Sequence, residues 1–217
     1  MKVIFATTNN RKLEDLNNVI KKEGLDLEVL SLSDIGWDRG EIQETGLTIE
    51  ANSYIKAKCV EQFCKDKKIN YPIITDDAGL FVEALGGQPG VYTARYADEE
   101  LKQNPDLPKH YAVIKMLNKM QFASNRTAEY RCAVTVMLGD GTFKQFIEKT
   151  KGIIGEEICE PIKKPYFYSL FIDMKTGKPF NMLTPEELQN TYRFKALKNG
   201  LCFLDEELSK TSENQKG

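Results

Sequence analysis

Val3 to Ala6 is a short apolar run that stops at Thr7-Thr8-Asn9-Asn10. Leu13, Leu16 and Ile20 then recur at helical spacing, with Glu14, Asp15, Lys21 and Lys22 on the other faces. A buried strand, a polar loop and an amphipathic helix in that order constrain the chain more than any other feature. They predict an α/β unit, in which backbone N–H groups and a helix N-terminus point at whatever sits above the strand end.

The same pattern returns downstream. Leu27 to Leu32 is a second strand candidate, and Ile49 to Cys64 a second helix with Ile55, Cys59 and Phe63 on one stripe. Tyr71-Pro72-Ile73-Ile74-Thr75 is a third buried strand, expected to end in Asp76-Asp77. Pro108 to Met120 reads as a helix. From Ala128 the period changes to alternation, and Asp140-Gly141 predicts a hairpin into a strand from Thr142 to Ile147. Tyr166 to Ile172 reads as another strand. Thr184-Pro185-Glu186-Glu187 is a helix start with its capping residues in order, and that helix is expected to end near Asn199-Gly200. The polar tail from Ser209 to Gly217 is expected to fray. Strand–helix units mixed with hairpins predict a mixed α/β fold, and no repeat or composition break divides the 217 residues into independent domains. Two lobes around a cleft remain compatible with one domain.

Composition removes several chemistries. Thirty Lys and Arg against thirty-two Asp and Glu leave a formal charge of −2, against a general nucleic-acid binder. The single histidine, His110, excludes a His-rich zinc site. The five cysteines include no CxxC pair, so reduced thiols in a cytoplasmic setting are expected. No leader pattern opens the chain and no apolar run reaches membrane-spanning length, so no membrane partner is expected.

Four segments are candidates for chemistry. Thr7-Thr8-Asn9-Asn10-Arg11-Lys12 is either an N-capping loop or an anion cradle. A lysine in a first helical turn opposes the helix dipole and suits a bound anion. Glu44-Thr45-Gly46-Leu47-Thr48 precedes Asn52 and Lys56, which share a helix face four residues apart. Acidic and basic groups there suit a metal-bridged phosphate, or equally a cap and a surface pair. Asp76-Asp77 places two carboxylates side by side, a costly arrangement without a cation. Alternation along a strand sends them in different directions, one as metal ligand or base and the other held by backbone amides; the other reading is an Asx-turn. The fourth segment, Leu85-Gly86-Gly87-Gln88-Pro89-Gly90-Val91-Tyr92-Thr93-Ala94-Arg95-Tyr96, is a glycine-rich loop that Arg95 orders or turns toward phosphate.

Together with Ala6, Ala57, Ala78-Gly79-Leu80 and Ala84, these segments resemble the inosine triphosphate pyrophosphatase family, enzymes that hydrolyse non-standard purine nucleoside triphosphates. The resemblance is strong over residues 1 to about 138 and looser beyond. It implies hydrolysis of ITP, dITP or XTP to the monophosphate and pyrophosphate, dependence on Mg²⁺, and a homodimer. It implies an elongated mixed β-sheet with helices and two lobes around a central nucleotide-binding cleft. Carried over by position, Glu44 and Asp77 are the implied metal ligands, and Asp77 the catalytic group that orients or deprotonates the attacking water. Thr7, Asn9, Lys12 and Lys56 are the implied triphosphate contacts. No covalent nucleophile is needed for such a reaction, only charge neutralisation and an aligned water.

The C-terminal third departs from the family pattern. Where the family reads Phe-Gly-Tyr-Asp-Pro, this chain has Tyr166-Phe167-Tyr168-Ser169-Leu170 and keeps only Tyr168. Where it reads Ser-His-Arg, this chain has Thr191-Tyr192-Arg193 and keeps only Arg193. Tyr168 and Arg193 are thus the remaining implied substrate contacts. Loss of base-reading hydrogen bonds changes discrimination strongly. Two alternatives therefore stand beside the main reading: the same chemistry with altered or relaxed base preference, or a nucleotide-binding protein with little turnover.

Overall fold

The computed structural model describes the backbone of residues 1–214 and the side chains of residues 1–210. Its strands are β1 (Lys2–Phe5), β2 (Glu28–Leu30), β3 (Ile73–Val82), β4 (Pro89–Gly90), β5 (Thr127–Met137), β6 (Phe143–Ile154) and β7 (Phe171–Asp173). Its helices are α1 (Asn10–Glu23), α2 (Ile49–Lys67), α3 (Asp98–Gln103), α4 (Tyr111–Lys119), α5 (Pro185–Leu188) and α6 (Tyr192–Asn214). The strands form one mixed sheet in the order β2-β1-β3-β5-β6-β7, with β4 beside β3. β1 runs parallel to β2 and β3, whereas β4 and β7 pair antiparallel with β3 and β6. The expected mixed α/β class is therefore observed.

The chain gathers into two compact units. The first comprises 1–77, 132–148 and the described residues from 193 on, and the second 78–131 and 149–192. In the first unit the opening strand–loop–helix forms as predicted. Val3, Ile4 and Phe5 are sealed from water, and Leu16, Val19 and Ile20 make the inner stripe of α1. Ile4, Leu32, Val60, Phe63, Ile73 and Met137 pack in one apolar cluster under α2.

In the second unit the aromatic side chains dominate the core. Tyr130 stacks on Tyr192 with centroids 5.0 Å apart and on Phe180 at 5.5 Å, and meets Phe171 edge-on at 4.9 Å. The glycine-rich loop is tied by Thr93, whose hydroxyl accepts the Leu80 N–H at 2.7 Å and donates to the Gly90 carbonyl at 2.6 Å. Arg95, expected to order that loop, is exposed at the end of a short 3₁₀ turn.

Several element boundaries differ from expectation: β6 runs to Ile154, past the expected Ile147, and α2 to Lys67, past Cys64. Three further departures have a local physical reason. β3 does not end at Asp76-Asp77 but runs to Val82. Cations from three helices face those carboxylates, so they sit inside the strand rather than closing it. The segment Tyr166–Ser169 is a 3₁₀ turn, and only Phe171–Asp173 is strand. The Ser169 hydroxyl donates to the Tyr166 carbonyl at 2.7 Å, and the Leu170 N–H to the Phe167 carbonyl, which closes the turn locally. The last predicted helix is two helices. α5 stops after one turn, and α6 passes through Gly200, the expected terminator, to Asn214. A Cβ on Gly200 would lie 3.1 Å from both Val134 and Val136, so glycine there serves close packing on β5 instead of ending a helix. Of the tail expected to fray, 209–214 continue α6, and 215–217 lie outside the described residues.

Candidate active site

The site residues of the first unit come from four places in the chain. The first is the turn after β1. The Thr7 hydroxyl accepts the Asn9 N–H at 3.1 Å, and the Asn9 carboxamide oxygen accepts the Arg11 N–H at 3.0 Å, capping α1. The first turn of α1 then carries Arg11 and Lys12 rather than an acid, against the helix dipole.

The second is the loop before α2 together with its first two turns. The Asn52 carboxamide oxygen accepts the Gly46 N–H at 2.7 Å. A Cβ on Gly46 would lie 2.7 Å from that same oxygen and from the Ala51 Cβ, so only glycine lets the loop close this tightly. The closure brings Glu44 to Lys56, whose Nζ lies 2.8 Å from Glu44 Oε1.

The third is the middle of β3. Asp76 and Asp77 point to different surroundings, as alternation requires. Asp77 accepts a hydrogen bond from Asn52 Nδ2 at 3.1 Å, and its other oxygen lies 3.9 Å from Lys56 Nζ. One ammonium thus stands between two carboxylates, Glu44 and Asp77. Asp76 receives Lys12 Nζ at 3.0 Å on each oxygen and Arg193 Nη1 at 2.6 Å on one. The fourth place is the start of α6, from which Arg193 also reaches Asp15 of α1, Nε to Oδ2, at 3.2 Å. Beneath these groups the Ser53 hydroxyl lies 3.0 Å from Thr75 Oγ1 and 2.8 Å from Thr135 Oγ1, pinning α2 to β3 just before the two acids.

Burial and charge pull these groups apart. Burial pushes the Asp76 carboxyl up, but Arg193, Lys12 and Lys56 outweigh it and hold the group well below the usual carboxylate range. Burial also pushes Asp77 up, and Glu44 adds to it, so Asp77 stays above its ordinary value despite Lys56 and Asn52. Burial pushes Lys12 down. For Lys56 the charges of Asp76, Asp77 and Glu44 overcome burial and raise it. Three cations (Lys12, Lys56, Arg193) face four carboxylates (Asp15, Glu44, Asp76, Asp77), a surplus of one negative charge. A divalent cation would reverse that sign, which suits a polyanion and not a neutral ligand.

The Ham1 family model matches residues 3–201. The chain belongs to the Ham1 family. A dITP/XTP pyrophosphatase of Bacillus subtilis is 37% identical to it over 154 residues, 71% of this chain and 72% of that protein. One from Bacillus licheniformis is 32% identical over 204 residues, covering 94% and 98%. The solved structure of the Staphylococcus aureus Ham1 protein superposes with a TM-score of 0.77 at 28% identity, over 95% of this chain and all of that one. The pyrophosphatase family expected from the motifs is therefore the one found.

In this Ham1 protein Thr7, Asn9, Lys12, Glu44, Lys56, Asp77 and Arg193 all lie in the first unit. Tyr168 lies in the second, where its hydroxyl is 2.9 Å from that of Tyr192, and its assignment rests on the resemblance alone. Asp76 is not held by backbone amides, as expected for the second acid of the pair, but by two side-chain cations. Asp15 was not among the expected residues. Its spacing three residues after Lys12 was the available signal, since such a pair shares a helix face. Among the described residues no group of three or more His, Cys, Asp or Glu is arranged to hold a metal ion, and no helix is long and apolar enough to cross a membrane. All five cysteines are free thiols.

Proposed function

We propose that this Ham1 protein hydrolyses ITP, dITP or XTP to the nucleoside monophosphate and pyrophosphate, with Mg²⁺ held by Glu44 and Asp77. The observation that carries the reading is the ammonium of Lys56 between those two carboxylates, where a cation is already demanded. Two oxygen donors suit Mg²⁺, which takes few protein carboxylates and completes its shell with water and phosphate. When bound it would supply charge neutralisation and a water of lowered pKa.

The protein's own groups supply the rest. Asn52 fixes one oxygen of Asp77, leaving the other directed toward Lys56 and available to orient the attacking water. Lys56 and Lys12 neutralise phosphate oxygens, and the polar side chains of Thr7 and Asn9 lie in the turn that leads into the first turn of α1, where Lys12 stands. The cytoplasmic setting and the homodimer belong to the same reading; the first rests on the free cysteines and the second on the resemblance.

A second reading, the same chemistry with altered base preference, is favoured by the second unit. Ser169 stands where the family has an acid, is sealed from water and is bonded to the Tyr166 carbonyl. Tyr192 stands where the family has histidine, and it is stacked on Tyr130. The test is pyrophosphate release from ITP, dITP, XTP, ATP and GTP, with Mg²⁺ and with chelator. Release from the first three, abolished by chelator, is expected. Equal rates on all five would transfer the conclusion to the second reading, and release from none would end both.

A further inference from the structure

Asp76 is gripped by two side-chain cations, and the proposed chemistry leaves it without a role. It keeps 2% of its surface exposed, and both its oxygens are engaged by cations. The groups around it close a ring. Lys12 of α1 meets Asp76 of β3, Asp76 meets Arg193 of α6, and Arg193 returns to α1 through Asp15, one turn beyond Lys12. Two positive and two negative charges make the ring neutral. Within it Arg193 is 8% exposed, whereas the Lys12 side chain keeps 29% of its surface. The ring therefore opens at Lys12, in the first turn of α1 beside the Thr7–Asn10 loop.

We propose that Asp76 is a positioning residue that holds Lys12 in place before the triphosphate arrives, and that Arg193 acts through Asp76 by fixing it from the opposite side. The inference rests on the pyrophosphatase reading and deepens it. A lysine side chain carries about 2 kcal/mol of rotamer entropy. Fixing it in the free protein removes that cost from the binding step. An ammonium has three donors, and Asp76 engages it through two contacts, so a further N–H remains for a phosphate oxygen. A purely structural purpose is a weaker account, because buried ion pairs are often replaced by apolar groups without loss of stability.

The experiment combines Asp76→Asn, Asp76→Glu, Lys12→Met and the double variant Lys12→Met/Asp76→Asn. A charge-assisted hydrogen bond is worth enough that Asp76→Asn should raise KM for ITP about ten- to a hundredfold, with kcat changed less. In the Lys12→Met background the same substitution should cost less than about threefold, because the partner it positions is gone. Asp76→Glu keeps the charge and should recover part of the loss, which also covers failure of the Asn variant to fold. Equal losses in both backgrounds, or an unchanged KM, would overturn the inference.

A second readout needs no activity. Reductive dimethylation of the nucleotide-free protein, read residue by residue by mass spectrometry, should label Lys12 several-fold faster in Asp76→Asn than in the parent. An unchanged Lys12 rate overturns the inference too. A parent protein that releases no pyrophosphate sinks the pyrophosphatase reading instead, and the labelling still decides whether Asp76 holds Lys12.

Discussion

Asp76 and Tyr130 are almost equally sealed from water, at 2% and 3% exposure, yet their surroundings are opposite. Around Asp76, in the first unit, stand ammonium and guanidinium groups at hydrogen-bond distance. Around Tyr130, in the second, stand Phe171, Phe180, Tyr168 and Tyr192, all with centroids within 5.5 Å. Burying charge is expensive, and a well-packed apolar replacement is often as stable. Burying aromatic rings is favourable by itself and gains further from edge-on and offset contacts. The charged region is thus held against a cost that chemistry must justify, whereas the aromatic region needs no purpose beyond cohesion.

The largest expected effect tests the first half of that contrast. Asp77→Asn removes the group proposed to orient water and should lower kcat about a hundred- to ten-thousand-fold in a pyrophosphate-release assay. Its stability should not fall. The Asp77 carboxyl is raised above its ordinary value by burial and by Glu44. A carboxyl raised on folding contributes stability that is lost as pH rises through its folded value, so at neutral pH its charge is a burden. Removing that charge should leave the melting temperature of the metal-free protein, measured with chelator, equal or higher. A variant that lost stability and kept turnover would invert the assignment.

Phe180→Ala is the counterpart. Phe180 is 1% exposed and lies 4.7 Å from Phe171 and 5.1 Å from Tyr168. Truncation should cost about 3–5 kcal/mol, read as a lower urea midpoint with an unchanged slope. A loss near zero would mean that the aromatic region is not cohesive and should be searched for a ligand.

Tyr192→Phe divides the aromatic region more finely. It keeps the stack on Tyr130 and removes only the hydroxyl 2.9 Å from Tyr168 Oη. The expected cost is about 0.5–1.5 kcal/mol. If it also changed the ITP-to-GTP rate ratio, the hydroxyl pair would have a part in choosing the base.

The same two regions differ in how far they could be read from the chain. The strand–loop–helix of residues 3–20 carries its own periodicity, and the polar set 7–12, 44–48, 52, 56 and 76–77 lies in short segments whose chemistry is local. Those elements and their convergence were legible. The link from Arg193 to Asp76 spans 117 residues, and no pattern near either residue announces it. Gly200 misled because a glycine that ends a helix and one that lets a helix pack closely look alike in sequence. Tyr166–Ser169 reads ambiguously because an aromatic run suits strand or core equally, and the turn is closed by the Ser169 hydroxyl and by backbone bonds of Tyr168 and Leu170. Local signals thus marked the polar residues that the first unit brings together, whereas the ring around Asp76 and the aromatic core of the second unit required tertiary structure.

The smallest effect separates charge that works from charge that merely decorates. Glu61 lies on α2, the helix of Lys56, and is paired with Lys58 and Lys65. Those two lysines keep 47% and 61% of their side-chain surface, so solvent screens both pairs. Hydrogen bonds from Lys58 and Lys65 lower the Glu61 carboxyl against the effect of burial. A carboxyl lowered on folding contributes stability that is present above its unfolded value, about 4.3, and lost as pH falls through the folded one. Glu61→Gln should therefore cost at most about 1 kcal/mol at neutral pH, with the difference from the parent vanishing on acidification. Urea midpoints across that range measure it, with turnover unchanged throughout. A Glu61→Gln variant that lost activity as Asp77→Asn does would show that charge anywhere on α2 matters to the chemistry, and the contrast drawn from Asp76 and Tyr130 would fail.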